Sequence, residues 1–155
     1  MTVITEGQAA PAFDLSIDGD GRVTLDGLKG KSVVLYFYPK ADTPGCTTEG
    51  LDFSALVDQF AAANAVVIGV SRDAVKKLDR FKAKHNLKVV LGSDEDGVVC
   101  EAYGTWIMKK LYGREYMGVE RATFLIDRAG MVRRVWRSVK VKGHAEQVLE
   151  AAQKL

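Results

Sequence analysis

The stretch Ser32-Val-Val-Leu-Tyr-Phe-Tyr-Pro-Lys-Ala-Asp-Thr-Pro-Gly-Cys46 decides the fold of this chain. Its first part, residues 32–38, is almost continuously apolar and is followed by a proline, a pattern typical of a strand buried on both faces. Thr43 fits a helix N-cap, and Pro44 fits the first helical position, where a missing N–H costs nothing. The stretch therefore predicts a buried strand, a short loop and a helix whose first turn contains Cys46.

Strand and helix patterns continue to alternate on the C-terminal side of this stretch. Apolar residues at helical spacing predict a helix from about residue 43 to 63, and a second buried strand follows at 65–70. Helical spacing returns over 74–81, before a short strand at 87–91 and a short helix at 96–103. Strands separated by helices are typical of parallel crossover units.

The last part of the chain predicts an antiparallel hairpin and a closing helix. The apolar runs 122–126 and 131–136 flank the turn sequence Asp127-Arg-Ala-Gly130. An apolar stripe at helical spacing ends the chain and comprises Ala145, Val148, Leu149 and Ala152. We therefore expect an α/β fold with a mixed central sheet and helices on both faces, as in thioredoxin-like folds. No repeat or linker interrupts residues 1–155, so a single domain is expected.

Composition excludes several classes of function. The chain has 155 residues, of which 47% are hydrophobic and 27% charged, with a net charge of +2 that favours neither nucleic acid nor an anionic membrane. No apolar run reaches the roughly 18 residues of a membrane span, and no secretory signal is visible, so we expect a cytoplasmic protein. The only histidines, His85 and His144, are expected at the surface, and Cys46 and Cys100 have no zinc spacing. We expect no metal and no cofactor.

Cys46 is the residue best placed for chemistry. At about the third position of a helix, it faces unpaired backbone N–H groups and the positive end of the helix dipole. Both favour the thiolate, which is the nucleophilic form of cysteine. A strand-to-helix loop also lies at the C-terminal edge of the sheet, where open α/β sheets bind ligands. A free cysteine is commonly a small buried apolar residue, but this position favours a reactive thiol.

Several separated motifs resemble one family. Pro39, Thr43 and Cys46 have the spacing P-x-x-x-T-x-x-C within Tyr36-Phe-Tyr-Pro-Lys-Ala-Asp-Thr-Pro-Gly-Cys-Thr-Thr-Glu49. Further matching segments, in the same order along the chain, are 10–13, 102–104, 116–121 and 139–144. The spacing resembles the active site of the peroxiredoxins, and the whole set resembles their PrxQ branch, also called bacterioferritin comigratory protein.

The resemblance implies a thiol-dependent peroxidase with the thioredoxin-like peroxiredoxin fold. Cys46 would be the peroxidatic thiolate, which hydrogen peroxide or an organic hydroperoxide oxidises to a sulfenic acid. Thr43 would hydrogen-bond the peroxide, and Pro39 would shield the sulfur from water. Arg121 would stabilise the thiolate and the charge that develops on the leaving oxygen.

The resemblance also assigns two binding residues. Backbone N–H groups near Gly45 would complete the anion-binding pocket, and Glu49 would orient Arg121. Members of the branch are often monomers, so a monomer is expected. An aromatic-rich stretch either rims a substrate pocket or packs in the core or on the surface; it comprises Tyr103, Trp106, Tyr112, Tyr116 and Met117.

The sequence departs from the branch at the resolving cysteine. Many PrxQ proteins place it five residues after the peroxidatic one, where this chain has Leu51, and another subgroup at a position that matches Lys82. Cys100 is the remaining internal candidate, although its apolar neighbours favour an inert thiol. We therefore expect a one-cysteine cycle in which thioredoxin, glutaredoxin or a low-molecular-weight thiol reduces the Cys46 sulfenic acid. Resolution by Cys100 is the alternative.

Two other functions stay open at this point. A thioredoxin-like disulfide exchanger would need a C-x-x-C motif, and Thr43 stands where its first cysteine would be. A redox sensor or binding module would use Cys46 oxidation to change a partner surface without turnover. The missing resolving cysteine is compatible with that alternative, which sustained peroxide turnover would exclude.

Overall fold

The computed structural model describes residues 3–155, and its strands and helices follow the predicted order with additions. The strands are β1 (Asp14–Ile17), β2 (Gly21–Thr24), β3 (Ser32–Phe37), β4 (Ala65–Ser71), β5 (Val90–Ser93), β6 (Trp106–Leu111), β7 (Arg114–Val119), β8 (Ala122–Ile126) and β9 (Val132–Trp136). The helices are α1 (Pro44–Ala55), α2 (Val57–Ala62), α3 (Val75–His85), α4 (Val98–Ala102) and α5 (His144–Gln153). Two short 3-10 turns lie at Asp18–Asp20 and Asp26–Leu28.

The central sheet is mixed, as the sequence predicts. Its strand order is β2-β1-β5-β4-β3-β8-β9, and β6 pairs only with β7 in a separate hairpin. Strands β3, β4 and β5 are parallel, whereas β8 runs antiparallel to β3 and β9 antiparallel to β8. The two central strands β3 and β4 carry apolar residues on both faces because helices or loops cover both sides of the sheet.

Alternate residues of β3 face two separate cores. Val34 and Tyr36 belong to the core formed with α1, α2, α3 and α5, while Leu35 and Phe37 belong to the core formed with α4 and the N-terminal segment. This alternation follows from the period of two in a strand. Helices therefore lie on both faces of the sheet, which confirms the predicted thioredoxin-like arrangement. The strand end that carries the predicted active-site loop lies at the centre of the sheet.

Several boundaries differ from the prediction. The helix predicted over 43–63 is two helices, because Leu56 has φ −106° and ψ 3° and its N–H bonds to Phe53 O at 3.1 Å. Phe53 and Phe60 nevertheless face the same core. The strand predicted at 87–91 is β5 at 90–93, since Leu87 and Val89 are buried but precede the pairing with β4. Strands β1 and β2 and the β6–β7 hairpin were not predicted from the sequence.

The prediction of a surface position is wrong for His144. Its side chain is buried, and its Nε2 lies 2.8 Å from Thr123 Oγ1, because the start of α5 packs over β8. Burial, followed by the charge of Arg121, lowers the pKa of His144 to about 4. His85 is partly exposed, and its Nε2 lies 2.8 Å from Asp42 Oδ1.

Among residues 3–155, no helix combines the length and the apolar character that a bilayer crossing requires.

Candidate active site

Polar contacts with β4, with the loop after β4 and with α3 hold the loop between β3 and α1 in place. Tyr38 N still bonds to Val70 O at 3.0 Å, and Ala41 N donates to Asp73 Oδ2 at 2.8 Å. Asp42 adopts a left-handed backbone with φ +63°, a conformation that aspartate tolerates better than most residues. Its carboxylate oxygens lie 2.9 Å from Lys84 Nζ and 2.8 Å from His85 Nε2, both on α3. The loop is therefore anchored to the neighbouring strand and helix.

The first turn of α1 begins where the sequence predicts. Pro44 is the first helical residue, and Thr43 has the extended backbone of an N-cap with its carbonyl accepting from Thr47 N at 2.9 Å. The prediction of Thr43 as the N-cap residue is confirmed, although its Oγ1 donates to Lys40 O at 2.7 Å and does not bond to the helix. Cys46 is the third helical residue. Its sulfur thus sits at a helix N-terminus, whose first N–H groups have no partner within the helix.

Arg121 joins Cys46 to Glu49. Its Nη2 lies 3.5 Å from Cys46 Sγ, and its Nη1 lies 2.6 Å from Glu49 Oε1. Cys46 and Glu49 are three residues apart and so lie on the same side of α1. Cys46 is only 2% exposed and Glu49 only 1% exposed. One guanidinium from the segment before β8 therefore contacts two buried side chains of the first helical turns.

Burial and neighbouring charges shift the pKa values of Glu49 and Arg121 in this group. Burial raises the pKa of Glu49 to about 7, although the charge and hydrogen bond of Arg121 act in the opposite direction. Glu49 Oε2 has no hydrogen-bond partner among residues 3–155. Burial by itself lowers the pKa of Arg121, but Glu49 and Cys46 outweigh this and raise it. The guanidinium therefore stays charged next to the sulfur.

Gly45 allows the guanidinium to approach the helix. A Cβ at this position would lie 3.1 Å from Arg121 Nη2, tighter than most real Cβ contacts. The absence of a side chain leaves room for Arg121 above the N-terminal turn. The structure thus brings Gly45, Cys46, Glu49 and Arg121 together.

A second ion pair, which the sequence analysis missed, fixes the backbone around Arg121. Glu120 accepts from Arg137 Nε at 3.0 Å, from Arg137 Nη2 at 2.6 Å and from Ser138 N at 2.7 Å. Val139 N donates to Arg121 O at 2.9 Å. In the sequence, the only sign of this arrangement was that Glu120 and Val139 lie in segments 116–121 and 139–144, which resemble the PrxQ branch.

A cavity of about 580 Å³ has Pro39 and Val119 in its wall, on the chain segments that precede Cys46 and Arg121. Trp106, Tyr116 and Met117 of the aromatic-rich stretch line it. The other two members do not, because Tyr103 is fully buried in the core and Tyr112 is 96% exposed. The remaining lining residues are Lys40, Arg72, Asp73, Glu95, Lys109 and Gly118. The stretch is therefore divided between a cavity wall, the core and the surface.

Cys100 lies on the other face of the sheet from Cys46. The two thiols are free and belong to the two different cores. Burial, followed by the hydrogen bond and charge of Asp94, raises the pKa of Cys100 far above its ordinary value. At the two positions of the branch's resolving cysteines, Leu51 is exposed, and Lys82 Nζ forms an ion pair with Asp18 Oδ2 at 2.7 Å. Across the described residues, no group of His, Cys, Asp or Glu side chains is arranged to hold a metal ion.

Comparisons with known proteins agree with this geometry. The family model described as AhpC/TSA family matches residues 6–135. The chain is 49% identical over 144 residues to the peroxiredoxin Bcp of Bacillus subtilis, which covers 93% of this chain and 92% of that relative.

Two solved structures are similar to this one. A cysteine-to-serine mutant of PrxQ from Xylella fastidiosa has a TM-score of 0.94 at 40% identity, covering 99% of this chain and 98% of that chain. A bacterioferritin comigratory protein from Xanthomonas campestris, whose trapped intermediate and ligand complexes concern its alkyl peroxide reduction activity, has a TM-score of 0.87 at 46% identity, covering 92% of this chain and 90% of that chain. The chain therefore belongs to the AhpC/TSA family, in its PrxQ or bacterioferritin comigratory protein branch of peroxiredoxins, and is a thiol-dependent peroxidase with a thioredoxin-like fold.

Proposed function

We propose that Cys46 is the peroxidatic residue and that the enzyme works with this cysteine alone. The observation that carries the proposal is the contact between Arg121 Nη2 and Cys46 Sγ, 3.5 Å long, at the N-terminal turn of α1. A fixed positive charge and a helix N-terminus both stabilise the thiolate, which is the reactive form.

In the oxidative half-reaction the Cys46 thiolate attacks the terminal oxygen of the peroxide. A sulfur–oxygen bond forms as the oxygen–oxygen bond breaks, and the leaving oxygen departs with the electron pair and takes up a proton as water or an alcohol. Arg121 stabilises the negative charge as it moves from sulfur to the leaving oxygen. Thr43 already donates its hydroxyl hydrogen to Lys40 O, so its oxygen is available to accept a hydrogen bond from the peroxide.

The neighbouring residues hold this arrangement. Pro39 ends the strand side of the loop and shields the sulfur from water. Gly45 leaves room for the guanidinium and offers its N–H to an anionic oxygen. Glu49 accepts a hydrogen bond from Arg121 at 2.6 Å and thereby fixes the direction of the guanidinium. The proposed reaction needs no metal or other cofactor, because the thiolate gives two electrons directly to the peroxide.

In the reductive half-reaction an external thiol reduces the Cys46 sulfenic acid. This step is supported by the position of Cys100 across the sheet and by the absence of cysteine at positions 51 and 82. Thioredoxin, glutaredoxin or a low-molecular-weight thiol can supply the electrons. The proposed setting is the cytoplasm, where glutathione and thioredoxin keep thiols reduced and can supply the electrons of the cycle.

The proposed substrates are hydrogen peroxide and organic hydroperoxides. The alkyl peroxide reduction activity of the Xanthomonas campestris relative supports the second class. Trp106 and Met117 give the cavity beside Pro39 an apolar wall that suits an organic group. By analogy with the branch the protein is proposed to be a monomer, a state that the site permits because all of its residues come from one chain.

Steady-state turnover in two cysteine variants tests the proposal. Peroxide consumption, measured in turn with thioredoxin and its reductase, with glutaredoxin and with glutathione at equal thiol concentration, should be abolished in Cys46→Ser and largely retained in Cys100→Ser, which is the matched control for loss of a buried thiol. Equal loss in the two variants would assign resolution to Cys100. Oxidation of wild-type Cys46 without repeated turnover would instead indicate a redox sensor.

A further inference from the structure

The cavity beside the site is lined by charged groups of both signs. Lys40 and Lys109 supply ammonium groups, and Glu95 supplies a carboxylate. None of these three forms an ion pair with another residue in the part of the chain that the structure describes. Lys109 is half-buried, which makes an unpaired charge there more costly than on the open surface. The cavity therefore has free charges that a ligand can pair.

The other two charged residues that line the cavity, Arg72 and Asp73, already have partners within the protein. Arg72 donates to the backbone oxygen of Glu95 at 3.0 Å and lies over the ring of Trp106 at 4.4 Å. Asp73 accepts from Ala41 N at 2.8 Å and faces Lys77 Nζ at 3.3 Å. These contacts hold the wall in place and leave the ends of Lys40, Lys109 and Glu95 for a ligand.

The cavity adjoins the chain segments that precede Cys46 and Arg121, because Pro39 and Val119 line it together with Lys109. Burial first, and then the charge of Arg121, lowers the pKa of Lys109, while the charge of Cys46 acts in the opposite direction. The ammonium is therefore close enough to be influenced by both catalytic charges. Pro39 and Val119, which lies two residues before Arg121, belong to the same wall. The cavity therefore lies against both segments that carry the proposed catalytic residues, although Cys46 and Arg121 themselves do not line it.

Building on the one-cysteine cycle proposed above, we propose that this cavity binds a small thiol with carboxylate and ammonium groups, and that this thiol reduces the Cys46 sulfenic acid. Carboxylates pair with Lys40 and Lys109, and the ammonium pairs with Glu95. The volume of about 580 Å³ lies within the range of roughly 300–1,000 Å³ for small-molecule sites. Because Cys46 is only 2% exposed, a small molecule reaches its sulfur more readily than a thiol on a protein surface.

Two molecules of the thiol balance the reaction. The first attacks the sulfur of the sulfenic acid, so that a sulfur–sulfur bond forms, the sulfur–oxygen bond breaks and water leaves with the thiol proton. The second thiolate attacks the small-molecule sulfur of this mixed disulfide. It releases the symmetric disulfide and returns Cys46 as a thiolate. The two electrons come from the two thiols.

The test measures the reductive half-reaction alone. Wild-type protein is oxidised with hydrogen peroxide, the sulfenic acid is verified with a trapping reagent, and its reduction is followed with glutathione or with uncharged 2-mercaptoethanol. After correction for thiolate fraction, glutathione should react about tenfold faster, the effect of pairing a partly buried charge. Lys109→Gln should lower the ratio of the glutathione rate to the 2-mercaptoethanol rate, a ratio in which any effect of the substitution on Cys46 itself cancels because both thiols react with the same sulfenic acid. Lys110→Gln is the matched control, because Lys110 is exposed on the same strand and does not line the cavity.

The outcomes separate this inference from the function on which it rests. Equal rates with the two thiols, or a preference that survives in Lys109→Gln and in Lys40→Gln, would overturn the thiol site while Cys46 oxidation stands. A charge preference confined to the oxidative step with a carboxylate-bearing hydroperoxide would also overturn it, since Lys40, Lys109 and Glu95 would then pair with the substrate and not with the reducing thiol. Failure of any sulfenic acid to form would overturn the proposed function itself.

Discussion

The side chain of Arg121 contacts both the proposed peroxidatic cysteine and a buried carboxyl group. Its two terminal nitrogens contact Cys46 Sγ at 3.5 Å and Glu49 Oε1 at 2.6 Å, a division that the planar fork of a guanidinium permits. The sequence indicated Arg121 and Glu49 only through the family resemblance, because the two are separated by 72 positions. The position of Cys46 at the third residue of a helix was, by contrast, predictable from Thr-Pro-Gly alone. Local sequence signals were therefore sufficient to predict the start of α1. They were insufficient to predict the contact between Arg121 and Glu49, which are far apart in the chain.

Replacement of Arg121 should slow Cys46 oxidation. In the proposed mechanism Arg121→Ala removes the charge that stabilises both the thiolate and the leaving oxygen, so the second-order rate constant with hydrogen peroxide should fall about 100-fold. Arg121→Lys should be intermediate, since an ammonium lacks the fork. Stopped-flow measurement of oxidation gives the rate, and Arg128→Ala is a control for loss of an exposed guanidinium. A wild-type rate in folded Arg121→Ala would contradict the role of this residue.

Glu49 should make stability depend on pH. Its pKa is about 7 in the folded protein against an ordinary value of 4.5, so the folded state binds more protons than the unfolded state between these values. The contribution of Glu49 to the free energy of unfolding is complete below about pH 4.5 and is lost as the pH rises to about 7. Glu49→Gln carries no such proton. The free energy of unfolding of this variant relative to wild type should therefore increase with pH across that window.

Urea denaturation of both proteins at several pH values measures this difference. Other titrating groups, including His144, contribute equally to both curves and cancel in the comparison. Parallel pH dependences in wild type and Glu49→Gln would show that the carboxyl titrates normally in the folded state.

At the scale of elements, the helix that carries Cys46 is positioned by aromatic packing on β3. Tyr36 stacks on Phe53 of α1 with ring centroids 4.6 Å apart. The continuous apolar run predicted β3, and helical spacing predicted α1, because both are buried elements with strong patterns. The β6–β7 hairpin was missed because its strands are largely exposed and lack a buried apolar pattern. The break at Leu56 was missed because both Phe53 and Phe60 keep helical spacing.

A methyl group at Gly69 should disturb this packing. A Cβ there would lie 2.5 Å from Tyr36 Cζ and 2.6 Å from its hydroxyl oxygen, closer than real Cβ contacts. Because Tyr36 also contacts Phe53, the strain cannot be relieved by moving one exposed side chain. Gly69→Ala should lower the free energy of unfolding by about 1–3 kcal/mol, the usual cost of overpacking. Chemical denaturation measures the loss, and an unchanged midpoint would show that the sheet has room for the methyl group.

At the scale of the whole molecule, the sheet separates the two thiols. Cys46 belongs to the core with α1, α2, α3 and α5, and Cys100 to the core with α4. Sequence reasoning predicted the mixed sheet and the two layers of helices, since crossover connections require them. It left open on which face each cysteine lies, because that depends on the loops that connect the elements. Because the two cysteines lie on opposite faces, the structure favours the proposed reduction of Cys46 by an external thiol over resolution by Cys100.

One domain over residues 1–155 should unfold in one transition. The sheet is continuous from β2 to β9, and both cores pack on its central strands, so neither half can unfold without exposing the other. Far-UV circular dichroism and tryptophan fluorescence should give coincident urea curves. Two resolved transitions would instead indicate that the chain contains more than one cooperative unit.

Intact-mass spectrometry after one equivalent of hydrogen peroxide is the most direct test of one-cysteine peroxidase chemistry at Cys46. The protein is treated under non-reducing conditions with a sulfenic-acid trap and then mapped by peptide analysis. We expect a single adduct on Cys46, with Cys100 recovered as a free thiol. A loss of two hydrogens mapped to a bridge between Cys46 and Cys100, or no reaction at Cys46, would contradict the account.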